Sequence, residues 1–365
     1  MPDRHDPTRT GWFTSSNDAL NRVHDDAVRC LRDAPGALGP AGVFLHDLND
    51  DLVPWTDDLV VSLPRALYRE HGDIEVLRRH YPAMSAFARR AEALLDEHGV
   101  WTSPPVGDRP TDADPHLVAT ARLHETAGEV ARTAALLGHD GDAAHFTALA
   151  ERVRAGFRRE FTSASGRVVT DSTTAHALAI TCGLLDADQL DAAGDRLADL
   201  VARSGYRPTS GVPEVLRALD DTGHLDHAYR LLAAVPSCPV RATVVDWLHR
   251  VVGGIRATAP GYRRVRLAPR PGGGLTSART VHDTVRGRVS TEWHVLDGAV
   301  RFDIAVPPGS TATVALPLHP DGVTFEIGPG SHSWLYPTTP DHADEDHTGA
   351  RPLSLPTPLP LPLPA

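Results

Sequence analysis

Apolar positions recur at helical spacing through residue 255 or so and then switch to alternation with period two. Between Asn17 and Asp33, Leu20, Val23, Ala27, Val28 and Leu31 fall on one stripe, with Asn17 placed to cap it. A Pro- and Gly-rich stretch follows from Pro35 to Pro54. The helical period then predicts helices over about Asp57–His71, Ile74–His98, Pro115–Gly138, Gly141–Phe161, Asp171–Leu185, Asp188–Ser204, Gly211–Asp221, His224–Val235 and Val240–Ile255. Many stop at a glycine, as helices do where the chain must turn left-handed: Gly72, Gly99, Gly138, Gly183, Gly205 and Gly223. About ten helices joined by short loops read as helical hairpins arranged in a toroid or solenoid.

Beyond Tyr262 the alternation predicts strands. Trp293–Leu296 and Ala299–Ile304 flank Asp297-Gly298, a strong two-residue hairpin signal, and Ser310–Leu316 and Val323–Ile327 read as further strands. The expected domain is a small antiparallel β-sandwich. The segment from 337 to 365 carries eight prolines and reads as a disordered Pro-rich tail. The expected organisation is an N-terminal arm (1–16), a helical domain (17–256), a sandwich (257–336) and that tail.

Composition narrows the chemistry. All 36 basic residues are Arg, so no lysine Schiff base, lysine nucleophile or P-loop lysine exists. A net charge of -11 argues against a nucleic-acid partner. Cys30, Cys182 and Cys238 lie far apart and form neither metal-ligand spacing nor a disulfide framework. The opening residues have no apolar leader core, and no run of about 18 apolar residues predicts a membrane span. A cytoplasmic protein acting on a small molecule, with no cofactor, is the expectation; its oligomeric state is not legible.

Specific strings carry a resemblance. Ser15-Ser-Asn-Asp18, Leu67-Tyr-Arg-Glu-His-Gly-Asp73 with His80-Tyr-Pro82, Thr170-Asp-Ser-Thr-Thr-Ala-His-Ala-Leu178, Thr209-Ser-Gly-Val-Pro213 and, most of all, Asp246-Trp-Leu-His-Arg-Val-Val-Gly-Gly-Ile255 with Ala268-Pro-Arg-Pro271 resemble the bacterial α-L-rhamnosidases of glycoside hydrolase family 78. The resemblance implies an (α/α)6-type helical toroid, whole or incomplete, followed by the sandwich. It also implies a pocket lined by loops at the N-terminal ends of inner helices.

Two family features are missing. The Arg-Asp-Glu-Arg-type acidic loop that supplies the family's general acid has no counterpart, because Asp33-Ala-Pro35 passes straight into Gly36-Ala-Leu-Gly-Pro40. The Trp-Glu-Arg-Trp-type loop that carries its base is replaced by Val235-Pro-Ser-Cys-Pro239. Hydrolysis needs two carboxyls across the scissile bond, each contributing about 10²–10⁴-fold. The sequence therefore ranks a repurposed acid–base enzyme (dehydration, addition or cyclisation of a hydroxylated small molecule or natural product) above a rhamnosidase with relocated carboxylates. A non-catalytic carbohydrate or metabolite binder is the third reading.

The candidate residues follow from the implied rim. Asp58, His176 and Glu214 are the candidate acids and bases. Asp47, Trp55, Asp57, His116, Asp171 and Thr209 are the candidate substrate contacts. Structural roles compete for several: Asp171 as an N-cap, Ser210 as a cap before Pro213, and Asp114 as a cap before Pro115. His124-Glu125 does not open a zinc motif, because Gly128 stands where the second histidine is needed. His224 and His227 form an i,i+3 pair without a third ligand.

Overall fold

The computed structural model describes residues 11–18, 20–22, 24–25, 59–102, 112–163, 167–207, 211–234 and 241–338. The chain divides into two compact units. One holds residues 1–28, 69–72 and 241–365, the other 29–68 and 73–240.

The second unit is helical. Its helices are α1 (Leu59–His71), α2 (Ile74–Glu92), α3 (Pro115–Leu137), α4 (Asp140–Phe161), α5 (Thr173–Thr181), α6 (Ala187–Arg203), α7 (Val212–Asp221) and α8 (Leu225–Ala234), the last turn of α1 belonging to the first unit. Consecutive helices pack as hairpins, α3 against α4 most extensively. Alternate helices also touch, α3 with α5 and α5 with α7, so these three form an inner row. Burial follows: Thr173–Ile180 of α5 is buried on every side, whereas α6 has a one-sided apolar stripe of Ala193, Leu197, Ala198 and Val201. The main core cluster joins Met84 and Phe87 of α2, Leu123 and Val130 of α3, and Phe146, Leu149 and Val153 of α4.

The first unit is built on two sheets. A five-stranded antiparallel sheet runs β1-β4-β5-β6-β9, from β1 (Gly11–Ser15), β4 (Ser277–Thr284), β5 (Gly287–Leu296), β6 (Ala299–Val306) and β9 (Gly330–Pro337). A four-stranded sheet runs β2-β3-β7-β8, from β2 (Ile255–Ala257), β3 (Arg264–Leu267), β7 (Thr311–Ala315) and β8 (Thr324–Ile327). The Asp297-Gly298 hairpin joins β5 to β6, with Gly298 at φ 69. Trp293, Val289, Phe302 and Val300 fill the interior of the larger sheet, while Leu267 and Val314 are buried in the smaller.

Four expectations need correction. Residues 11–15, read as part of an N-terminal arm, are an edge strand paired with β4 from Gly11↔His282 to Ser15↔Ala278. The sandwich is mixed, since β3 and β7 run parallel. Pro337 closes β9 and does not begin the tail, whose residues 339–365 lie outside those described. The helix expected over Val240–Ile255 is shorter: α9 (Arg241–Trp247) is followed by a π-helical turn at Leu248–Val252, and Ile255 opens β2. Gly253 and Gly254 cause the break. A Cβ on Gly253 would meet Thr280 Oγ1 at 2.2 Å, and one on Gly254, at φ +72, would meet Pro269 N at 2.1 Å. The apolar stripe is thus shared between a helix end and a strand.

Candidate active site

The inner helices begin close together. Asp114 caps α3 by accepting from His116 N at 2.8 Å, with Pro115 in its first turn. Asp112 reaches across to α5, where its Oδ2 accepts from Thr173 N (3.1 Å) and Thr173 Oγ1 (2.9 Å). The start of α7 lies against the same place: a Cβ on Gly211 would sit 2.7 Å from Thr174 Oγ1. Three helix N-termini, each favouring anionic or polar groups, thus converge.

Two cap assignments change. Ser172, not Asp171, caps α5, its Oγ accepting from Ala175 N at 3.1 Å. Gly211 holds the cap position of α7, which receives no side-chain cap; Ser210 lies outside the described residues.

Charged residues line one face of α3. Arg122, Glu125, Glu129 and Arg132 recur at three- and four-residue steps in a helix otherwise rich in Ala, Leu and Val. Arg122 is the hub. Its Nη1 donates to Glu125 Oε2 at 3.1 Å, and its Nη2 pairs with Glu214 in the first turn of α7. One guanidinium therefore bridges two carboxylates. Two carboxylates held on neighbouring nitrogens of one guanidinium lie close together. All three side chains keep partial access to solvent: 24% for Arg122, 22% for Glu214 and 36% for Glu125. Cys182 Sγ lies 3.8 Å from Glu125 Oε2, and burial, reinforced by the Glu125 charge, pushes its thiol up to about 12. One step along α3, Glu129 pairs with Arg65 and with Arg132 (3.0 Å); burial would raise its carboxyl, but the two arginines hold it below the usual range.

His176 and Asp171 belong to a separate group. His176 Nδ1 donates to Ser172 O at 3.0 Å; Nε2 is buried and finds no partner among the described residues. Burial lowers its pKa and keeps the imidazole neutral, with Asp171 opposing the shift. Asp171 itself accepts from Arg196, whose Nε lies at 2.8 Å, and those bonds bring its carboxyl down to about 2. His116 Nδ1 donates to Trp101 O at 3.0 Å and so fastens the segment that bridges to Leu95. Thr174 Oγ1 is also buried without a partner among the described residues.

Of the sequence-derived candidates, Glu214 thus joins Arg122 and Glu125, His176 neighbours Asp171, and His116 stands at the start of α3. Asp47, Trp55, Asp57, Asp58 and Thr209 lie outside the described residues. Arg122 and Glu125 were missed. Their signal was available: two Arg–Glu pairs at three-residue spacing on a helix whose composition otherwise demands burial. His224 and His227 have separate partners, Asp195 and Tyr206, and no group of three metal-ligating side chains occurs among the described residues. No helix there is long and apolar enough to cross a membrane.

Comparison with known proteins gives a consistent result. The sequence model of the bacterial alpha-L-rhamnosidase 6 hairpin glycosidase domain matches residues 29–239, and that of the bacterial alpha-L-rhamnosidase C-terminal domain matches residues 254–326. An alpha-L-rhamnosidase of Streptomyces avermitilis is 32% identical over 367 residues, covering 83% of this chain and 35% of the relative. One from Formosa agariphila is 24% identical over 410 residues, covering 84% of this chain and 44% of its own. Among solved structures, Streptomyces avermitilis alpha-L-rhamnosidase complexed with L-rhamnose matches with a TM-score of 0.78 at 27% identity, over 90% of this chain and 42% of that one. The Aspergillus terreus enzyme matches in fold with a TM-score of 0.78 at 20% identity, over 90% of this chain and 50% of that one. The chain spans between about a third and a half of the length of these relatives.

Proposed function

From the premise that this chain belongs to the bacterial α-L-rhamnosidases, the six-hairpin glycosidases of glycoside hydrolase family 78, we propose that it hydrolyses α-L-rhamnosides with a relocated carboxylate pair, Glu125 and Glu214. The observation that carries this reading is the single guanidinium, Arg122, on which both carboxylates converge. The family's own acid and base loops have no counterpart in the sequence, so a pair elsewhere on the inner helices must supply both proton steps.

The roles follow from position. Glu214 sits in the first turn of α7, where the helix N-terminus favours an anion, and acts as the base that activates water. Glu125 lies mid-helix beside the buried Cys182 thiol and has no such support. A hydroxylated ring that takes over the Arg122 Nη1 donor releases Glu125 from its ion pair; the freed carboxylate takes up a proton from solvent and then gives it to the leaving oxygen. Water activated by Glu214 on the face opposite the leaving group would give inversion at the anomeric carbon.

The test is release of nitrophenol from an aryl α-L-rhamnoside by the purified full chain. Glu125→Gln and Glu214→Gln should each lower kcat about 10²–10⁴-fold with KM little changed. No release by the wild type, or full rates in both variants, would refute the assignment.

One observation favours a second reading. Nε2 of His176 is a buried neutral base with no partner among the described residues and no task in glycoside hydrolysis. A repurposed acid–base enzyme that dehydrates or cyclises a hydroxylated natural product would use it, and would then depend on His176 while releasing no rhamnose.

A further inference from the structure

The two sheets of the β unit carry their surface charge in opposite ways. On the outer face of the five-stranded sheet, arginines meet acids. Arg288 forks onto Asp283 at 2.7 and 2.9 Å, Arg301 Nε meets Asp303 at 2.8 Å, and Arg279 faces Glu292 at 3.5 Å. Ser333 closes that lattice by donating to Asp303 at 2.6 Å. The four-stranded sheet has no such lattice on β3. Arg263, Arg264 and Arg266 are exposed, and none pairs with a carboxylate among the described residues.

Register makes this a patch. Arg266 stands directly opposite Arg256 on β2, whose Nε donates to Arg250 O at 3.4 Å. Arg264 lies two residues along the same strand, about 6.7 Å away on the same face. On the other flank, β7 sets Thr311 beside Arg264 and Thr313 beside Arg266. Thr258, exposed, bonds through its backbone N to Arg264 O at 2.9 Å, adding a third hydroxyl-bearing neighbour. The nearest acid in the row is Glu326, one strand beyond Thr313. A chain of net charge -11 thus sets three exposed arginines, Arg263, Arg264 and Arg266, on or beside one sheet face.

We propose that this face binds an acidic polysaccharide, a glycan chain bearing uronate carboxylates. Planar guanidiniums engage carboxylates two-pronged, and the interleaved threonines suit the hydroxyls of the same sugars. A single-stranded nucleic acid would want stacking aromatics, and no aromatic residue stands in these register rows of β2, β3 and β7. The site is separate from the helical unit's carboxylate pair and does not depend on hydrolysis there.

The test is affinity electrophoresis of the full chain through gels containing polygalacturonate, dextran or duplex DNA. Polygalacturonate should retard the wild type and dextran should not. The double variants R264Q/R266Q and R264E/R266E should each bind at least tenfold more weakly, with unchanged circular dichroism and unchanged aryl-rhamnoside hydrolysis. Absence of retardation, equal retardation of either folded double variant, or equal retardation by duplex DNA would each overturn the proposal.

Discussion

The helical and β units bury different things. In the β unit the interior of the larger sheet is mostly apolar, with Trp293 and Phe302 fully enclosed beside Thr280 and Thr291, and its arginine–carboxylate pairs lie on the outer face. In the helical unit the face of α3 turned toward α1 and α7 carries Arg122, Glu125 and Glu129, held half-buried against Arg65 and Glu214. Partly desolvated ion pairs add little net stability compared with well-packed apolar groups. Their place on an inner helix is what the catalytic role proposed above calls for, whereas the β unit is organised for packing.

The sharpest way to break that contrast is to remove the packing. Trp293 is wholly buried and its Nε1 donates to Val252 O at 2.9 Å, tying β5 to the π-helical turn. Trp293→Ala should cost about 3–5 kcal/mol in urea unfolding, from cavity and lost bond together. The β unit's transition should shift more than the helical unit's. Loss of both transitions together would mean that the two units do not unfold separately.

Next comes the hub of the helical unit. Arg122→Met keeps the stem's volume but leaves Glu125 and Glu214 facing each other without a cation. With both partners about a quarter to a third accessible, a cost of about 2–3 kcal/mol is expected, below that of a fully buried pair. Turnover of an aryl rhamnoside should fall with it. Stability unchanged within error would show that Arg122 merely decorates the interior.

The legibility of these two regions from sequence differed for physical reasons. Strands and helices announce themselves by period, and seven of the helices and the β5–β6 hairpin stand where periodicity placed them, within a few residues, while α2 stops at Glu92, well short of His98. The edge strand Gly11–Ser15 did not, because five residues next to a helix cap carry too little alternation to register. The end of α9 was misread for the opposite reason: Val244, Leu248, Val251, Val252 and Ile255 are all buried, but the glycine pair inside the stripe is dictated by contacts with Thr280 and Pro269, which only the folded chain reveals. Glu214 was legible as a carboxylate in a first turn. Its partner Glu125 was not, since 89 residues of chain separate them and only Arg122, reaching from α3 to α7, joins the two.

A smaller effect should separate the units by pH. Burial lowers the pKa of His176, and of His124 on α3. Above about pH 6.5 both folded and unfolded chains hold these imidazoles neutral, and they contribute no pH dependence. Below it the unfolded chain takes up protons that the native helical unit refuses, so stability falls as pH drops. Thermal melts from pH 7.5 to pH 5 should show that decline, and His176→Leu should flatten it while melting near the wild-type temperature at pH 7.5. An identical slope in the variant would remove His176 from the account.

The smallest effect belongs to the outer face of the β unit and completes the contrast. Asp283 and Arg288 are cross-strand partners on β4 and β5, joined by two hydrogen bonds, and that guanidinium holds the Asp283 carboxyl below its usual range. The geometry is as good as that of Arg122 with its glutamates, but the arginine here stands largely in water, Arg288 being 61% exposed against 24% for Arg122. Water replaces most of what either partner loses, so Asp283→Ala should cost no more than about 1 kcal/mol. Salt of about 1 M should erase most of the difference, because exposed charges are screened over a few ångströms there. The same salt should leave the Arg122→Met penalty largely in place. If the two variants instead responded alike to salt, burial would not be what distinguishes the helical unit's charges from those on the sheet.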